Sequence, residues 1–256
     1  MKSLNFSALV YGNVDFEDKA SCGGVIISEN VILTAAHCVD RESVGSSKEV
    51  IFQINQLDAV RVGHSDQFSP EIQEISIEKK LVHSEWSIYE KFQYFQNDIA
   101  LLKLNEPLKF DETIAPICLP SADATVRDTL TLAGWGKLAN FIKAEILQKV
   151  NLNHVPSEEC NDLWRTARPK FPDHELLDTM VCAKGEKGLS DACGGDSGGP
   201  LFQVIDDSVA EEDVKYETIG AVSFGDRVCR SYVPGIYTRI SKYLDWIEDF
   251  VYENRP

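Results

Sequence analysis

The sequence predicts an all-β protein closed by one C-terminal helix, and three observations carry that expectation. Short apolar runs rich in Val, Ile and Leu recur through both halves of the chain, separated by polar turns. Residues 109 to about 124, with Pro116, Pro120 and Ser121, lack clean periodicity and read as a connector between the halves. Near the end, Ile240, Leu244, Ile247 and Val251 recur at spacings of four, three and four, the mark of one apolar helical face. A chain of 256 residues that is 43% hydrophobic is long enough to bury a substantial core.

In the first half, strands are expected at 7–11, 24–28, 31–35, 50–54, 59–62, 75–82 and 99–104, as in a β-barrel or sandwich. Cys22-Gly-Gly-Val-Ile-Ile and Val31-Ile-Leu-Thr-Ala-Ala-His-Cys38 have the β-branched character of buried strands, joined by a tight turn at Ser28-Glu-Asn30. His37 closes the second of them. Asn97-Asp98 precedes the apolar run Ile99–Leu104, so the Asp98 carboxylate is expected to be partly buried and to need hydrogen-bond donors. Taken alone, Asp98 also fits an ordinary strand-end or turn aspartate. Beyond the connector, strands are expected at 129–133, 146–152, 180–183, 200–204, 216–223 and 235–239, followed by the helix from about 241 to 252.

Charge and cysteine content narrow the function classes. Lys plus Arg number 25 against 41 Asp plus Glu, a formal charge of −16, which argues against a nucleic-acid or anionic-membrane partner. The excess fits a cationic substrate or partner, or serves solubility alone. Seven cysteines, at 22, 38, 118, 160, 182, 193 and 229, are too scattered for a zinc ribbon, and no Cys-x-x-Cys occurs. Disulfides and an oxidising, extracellular compartment are expected instead. Seven is odd, so one cysteine is free or bonds outside the chain. No apolar run approaches the roughly 18 to 20 residues of a membrane helix. The opening residues lack a convincing signal peptide, which leads us to expect an incomplete or processed form of a secreted chain.

The stretch Asp191-Ala-Cys-Gly-Gly-Asp-Ser-Gly-Gly-Pro200 organises the rest. Ser197 sits among glycines, where backbone can approach a ligand closely, and the amides of Gly195 and Ser197 could share one small space. A glycine-rich surface turn is the plain alternative. Acyl transfer by serine needs a base and a carboxylate that orients it, and His37 and Asp98 supply those types. The same stretch satisfies the nucleophile elbow of α/β-hydrolases, but there the histidine follows the serine. Here all five histidines, 37, 64, 83, 154 and 174, precede Ser197, which removes that class.

With these residues in view, the chain resembles the trypsin-like (chymotrypsin-fold) serine endopeptidases from about Phe6 to Val251. The likeness rests on Cys22-Gly-Gly, Thr34-Ala-Ala-His-Cys38, Asp98-Ile-Ala-Leu-Leu102, Pro116-Ile-Cys-Leu-Pro120, Gly134-Trp-Gly136, Gly194-Gly-Asp-Ser-Gly-Gly-Pro200, Val222-Ser-Phe-Gly225 and Pro234-Gly-Ile-Tyr-Thr238. It implies two antiparallel six-stranded β-barrels with a C-terminal α-helix and a site between them. His37 would be general base and then acid, Asp98 its orienting carboxylate, Ser197 the nucleophile, and Gly195 with Ser197 the oxyanion hole.

The resemblance also implies specificity and partners. Asp191 matches the acid at the base of the primary pocket, and Ser223, Gly225 and Gly235 match its walls, so cleavage after Arg or Lys is expected. Ala192 stands where many trypsins carry a serine hydroxyl, which favours Arg over Lys. Three disulfides follow by position: Cys22–Cys38, Cys160–Cys182 and Cys193–Cys229. Leu130 and Gln203 occupy the two places of a further trypsin bridge. Cys118 matches the cysteine that joins an upstream regulatory segment in arthropod clip-domain proteases; a buried free thiol is the alternative. Asp196 matches the aspartate that pairs with a freed Ile-Val-Gly-Gly-like amino terminus, and nothing like that sequence precedes Phe6. The alternative to a cascade protease is therefore a zymogen-like or inactive protease-fold binding protein. Expected partners are a protein substrate with a basic residue before the scissile bond and a serpin-type or other protein inhibitor. No cofactor, metal, nucleic acid or membrane is expected, although Asp66, Glu71 and Glu74 lie in the loop that binds calcium in some relatives. Insertions at Asp40–Leu57, Leu163–Leu177 and Ile205–Lys215 read as long rim loops, either substrate-selecting or inert. Asn5-Phe-Ser7 matches a glycosylation sequon.

Overall fold

A computed structural model describes residues 6–11, 20–40, 57–89, 94–138, 142–167, 178–185, 192–206, 214–226 and 232–255. In the first half, β1 (Phe6–Tyr11), β2 (Ala20–Ile26), β3 (Val31–Thr34), β4 (Leu57–Val62), β5 (Gln73–Val82) and β8 (Ala100–Leu104) close a barrel in the order β1-β2-β3-β8-β5-β4. Between β5 and β8 lies a small hairpin, β6 (Ser87–Tyr89) and β7 (Tyr94–Gln96). In the second half, β9 (Thr129–Gly134), β10 (Gln148–Val155), β11 (Met180–Lys184), β12 (Pro200–Val204), β13 (Tyr216–Phe224) and β14 (Gly235–Arg239) close a second barrel, β10-β11-β14-β13-β12-β9. Every ladder in both barrels is antiparallel, as the resemblance implied.

The period-2 alternation of strands explains where the core sits. Ile26, Ile32, Val60, Leu102 and Leu104 fill the first barrel, while their neighbours Val25, Val31, Leu33 and Leu101 point the other way. That second set is buried too, because it meets Ala133, Phe202 and Ala221 of the second barrel and Tyr243, Ile247 and Phe250 of the last helix. Strands covered on both faces read as near-continuous apolar runs, which is why Val31–Thr34 shows no exposed position; its one polar side chain, Thr34, donates to Gly23 O at 2.8 Å. The seam between the barrels is thus a dry apolar layer, each large side chain contributing about 1.5–3 kcal/mol of burial. The connector is stitched to both sides: Ile117 N–H donates to Ile26 O at 3.0 Å, and Thr218 N–H donates to Cys118 O at 3.0 Å.

Several expectations shift. β2 starts at Ala20 and ends at Ile26, earlier than the expected 24–28, because it pairs with β1 from Val10↔Ala20 onward. The residues Leu163 to Ala167, read as loop, belong to helix α2 (Ser157–Ala167). Its start signal was present: Ser157 precedes Glu158 and Glu159 in the first turn, and Cys160 and Trp164, four apart, form the buried stripe. The hairpin β6–β7 was also not anticipated. At the C-terminus a 3-10 turn, Ile240–Lys242, leads into α3 (Leu244–Glu253). Its three-residue period changes the phase, so Tyr243, Ile247 and Phe250 carry the buried face while Leu244 and Val251 are only partly covered. The expected strand at 50–54, Asn5 of the sequon and most of the Asp40–Leu57 insertion lie outside the described residues, as do 168–177 and 207–213 of the other two insertions. Gln203 is buried and satisfied, accepting from Arg127 N–H at 2.9 Å and donating to Thr125 O and Glu217 Oε1 at 2.9 and 2.8 Å.

Candidate active site

β3 runs straight into a one-turn helix, α1 (Ala36–Val39), which carries His37 at the edge of the first barrel. The first amides of any helical turn lack intrahelical acceptors. Asp98 supplies one: His37 N–H donates to Asp98 Oδ1 at 2.9 Å, and His37 Nδ1 lies 2.8 Å from Asp98 Oδ2. Asp98 is only 2% exposed, so its carboxylate depends on donors for solvation. Ser223 Oγ is a further donor to Oδ2, and Thr238 Oγ1 donates to the Asp98 carbonyl at 2.8 Å. Ser223, expected as a pocket-wall residue, therefore also touches the acid. The outer face of the imidazole stacks on Phe95 of β7, with ring centroids 5.1 Å apart and 25° between planes. That contact was not legible in the sequence, since the hairpin that delivers Phe95 was not.

Ser197 is placed by backbone. Gly195 and Gly198 adopt φ of 105° and 75°, a region that favours glycine. A Cβ on Gly198 would stand 2.1 Å from Thr34 Oγ1 and 2.6 Å from Gly23 O, so this turn presses directly on the strands leading to His37. Gly23 N–H donates to Ser197 O at 2.7 Å from the first barrel, and Gly198 N–H donates to Val222 O at 2.8 Å in the second. Ser197 thus stands at the seam. Its hydroxyl makes no hydrogen bond to His37 among the described residues; in sites without substrate such contacts are commonly long. The amides of Gly195 and Ser197 donate to no described group.

Beside Ser197 opens a cavity of about 250 Å³ lined by Ala192, Ser223, Phe224, Gly225, Gly235 and Tyr237, among others. The two glycines are neighbours at the ends of β13 and β14: a Cβ on Gly225 would lie 4.0 Å from Gly235 Cα, so this part of the lining carries no side chain. Asp191, expected at the base, lies outside the described residues. Asp196 is buried, accepting from Gly136 N–H at 2.8 Å and Cys193 N–H at 2.9 Å. Burial pushes its carboxyl above the usual carboxylate value, and the two amide bonds only partly oppose that. Among the described residues no cation reaches it.

The pairs Cys22–Cys38 and Cys160–Cys182 are bonded as the resemblance implied. The first ties β2 to the His37 turn. Cys193 is in a disulfide, and Cys229, its expected partner, lies outside the described residues. Cys118 is free and exposed, which corrects the alternative of a buried thiol. In the loop 63–74, Glu74 pairs with Arg61 at 2.9 Å and Asp66 Oδ1 accepts from Phe68 N–H at 2.9 Å. Among the described residues the group that could converge on an ion is Cys22, His37 and Cys38, two of which are bonded to each other.

The comparisons with known proteins agree with this architecture. The trypsin family profile matches residues 5–247. The chain is 34% identical over 239 residues to the serine proteinase stubble of Drosophila melanogaster, covering 92% of this chain and 28% of that protein. It is 33% identical over 247 residues to the CLIP domain-containing serine protease B4 of Anopheles gambiae, covering 90% and 62%. With the phenoloxidase-activating enzyme of Bombyx mori it shares 35% identity over 249 residues, covering 90% and 54%. The chain therefore spans between 28% and 62% of the length of these relatives. Among the described residues no helix is long and apolar enough to cross a membrane. The match along nearly the whole chain, together with insect clip-domain relatives above 30% identity, shows that the chain belongs to the trypsin family of serine proteases.

Proposed function

We propose that this protein is a serine endopeptidase that hydrolyses peptide bonds after Arg, and less well after Lys, as a secreted protease of a regulatory cascade. Ser197 Oγ attacks the scissile carbonyl while His37 Nε2 takes its proton. Asp98 stabilises the imidazolium that results, and the amides of Gly195 and Ser197 receive the oxyanion. His37 then protonates the leaving amine, and water repeats the sequence on the acyl-enzyme. The observation that carries this reading is the double grip of a buried Asp98 on His37, at 2.8 and 2.9 Å, with the Ser197 turn packed on the strands behind it. Specificity for a long basic side chain is supported by the glycine-walled cavity, with Asp191 assigned to its base. The disulfides support an extracellular site of action. The name of one relative, a phenoloxidase-activating enzyme, supports a role in activating another protein by limited cleavage. A serpin-type inhibitor as regulator and an upstream segment bonded to the exposed Cys118 complete the proposal.

Labelling by a fluorophosphonate tests the assignment. Labelling is expected in the wild type and lost in Ser197→Ala; undiminished labelling of the variant would refute it. One observation favours a second reading, a zymogen-like or inactive binding protein: Asp196 is buried without a cation among the described residues. Absence of labelling in the wild-type chain would favour that reading.

A further inference from the structure

Asn97 is the non-glycine residue with positive φ among the described residues, at 49°. Asparagine tolerates that region better than most side chains, but it still needs a reason to stay there. The reason is a three-residue turn: Ile99 N–H donates to Asn97 O at 2.8 Å, which leaves Asp98 at the apex. The turn is clamped from outside. Asn97 Nδ2 donates to Glu85 O at 3.0 Å, and Asn97 Oδ1 accepts from the Tyr243 hydroxyl at 2.8 Å.

Tyr243 sits where the 3-10 turn passes into α3, so it belongs to the segment leaving the second barrel, while Asn97 and Asp98 belong to the first. Its side chain is buried in the seam, and its ring meets the edge of His83 at 5.3 Å. His83 in turn packs against Trp246 at 5.2 Å and donates its backbone N–H to Ile99 O at 3.2 Å. The hydroxyl therefore reaches Asn97 from a buried ring packed against His83, which Trp246 backs in turn. Burial pushes its ionisation up to about 12, so it remains a donor wherever the protein works. Thr238, from β14 just upstream, holds the Asp98 carbonyl at 2.8 Å. One C-terminal stretch thus grips both residues of the turn.

We propose that Tyr243 is a positioning residue: its hydrogen bond to Asn97 sets the turn that aims the Asp98 carboxylate at His37, across the seam between the barrels. The proposal rests on reading His37, Asp98 and Ser197 as a catalytic triad. It makes the docking of the C-terminal helix a condition of catalytic alignment and not of stability alone.

The test uses the full chain with Tyr243→Phe, Asn97→Gly and the double variant. Phenylalanine keeps the ring and removes only the oxygen; glycine keeps access to positive φ and removes both side-chain bonds. Each single variant is expected to lower kcat on an Arg peptide amide about tenfold with KM unchanged, and the double variant no further. The titration of His37, followed by NMR and identified by its absence from a His37→Ala sample, is expected to move to lower pH, because a misaligned carboxylate stabilises imidazolium less. Wild-type kcat and an unmoved His37 titration in both single variants would overturn the proposal. So would a reduced kcat with an unmoved titration, which would mark a general structural effect. The titration needs no turnover, so it judges Tyr243 even in a protein that does not label; absent labelling would instead count against the protease reading.

Discussion

Asp98 binds His37 twice, accepting from its ring Nδ1–H at 2.8 Å and from its backbone N–H at 2.9 Å. The ring bond places the proton on Nδ1 and leaves Nε2 free to accept; the backbone bond fixes the turn on which the ring is mounted. In Asp98→Asn an amide oxygen can still accept from the His37 N–H, but the amide NH₂ faces Nδ1 and reverses the tautomer. A loss in kcat on the order of 10⁴-fold is expected, with folding largely retained. Steady-state kinetics on an Arg peptide amide decides this, and a loss below about tenfold would contradict the assigned role.

The Ser197 turn has no room for a side chain at Gly198, whose φ is 75° and whose Cβ would stand 2.1 Å from Thr34 Oγ1. Gly198→Ala is expected to destabilise by at least about 2 kcal/mol, from strain at positive φ and overlap with backbone of the first barrel. Displacement of the turn should also slow fluorophosphonate labelling. Urea unfolding gives the first quantity, and an unchanged midpoint would show that the seam yields more easily than its packing implies.

Asp196 makes a pH-dependent contribution whose sign follows from its burial. Its carboxyl is raised above the ordinary value of 3.8, so the folded state holds the proton more tightly than the unfolded one. Stability from this group is therefore present at low pH and is lost as pH climbs from 3.8 through the folded value. Asp196→Asn carries no such titration. The wild type should lose stability relative to the variant as pH rises above 3.8, and unfolding midpoints that stay parallel through neutral pH would contradict this. A cation brought against Asp196 would oppose the effect of burial, so the same measurement would register such a partner.

Ala192 lines the cavity beside Ser197 and offers no side-chain hydrogen-bond donor or acceptor. On the proposal that Asp191 stands at the base of that cavity, a Lys ammonium would lack a hydroxyl partner, while an Arg guanidinium would pair with the carboxylate through two N–H groups. Ala192→Ser is expected to raise kcat/KM for Lys about fivefold relative to Arg, the worth of roughly one hydrogen bond. Paired peptides differing only at that residue give the ratio, and a ratio unchanged or moved toward Arg would argue against the pocket assignment.

The all-β class, most strands and the C-terminal helix were legible from residue order alone, and the same order singled out His37, Asp98 and Ser197 as candidates. Alternation of apolar residues along a strand is a local property, and the chemistry of a nucleophile, a base and an acid is written in side-chain type. The Ser157–Ala167 helix carries a start signal in Ser157, Glu158 and Glu159, but the insertion around it obscured that signal, so that a loop is expected from Leu163.

What only the tertiary structure decided is which groups touch. Phe95 reaches His37 through a hairpin too short to announce itself, Ser223 reaches Asp98 from a strand 125 residues away in sequence, and Tyr243 reaches Asn97 across 146. These contacts depend on closing two barrels and pressing them together along Val25, Leu33, Phe202 and Ile247. Closure is cooperative and the seam is apolar, so no local pattern of polar residues encodes which of them will meet there. Sequence alone thus singled out Asp98 and His37; packing set the distances at which they meet.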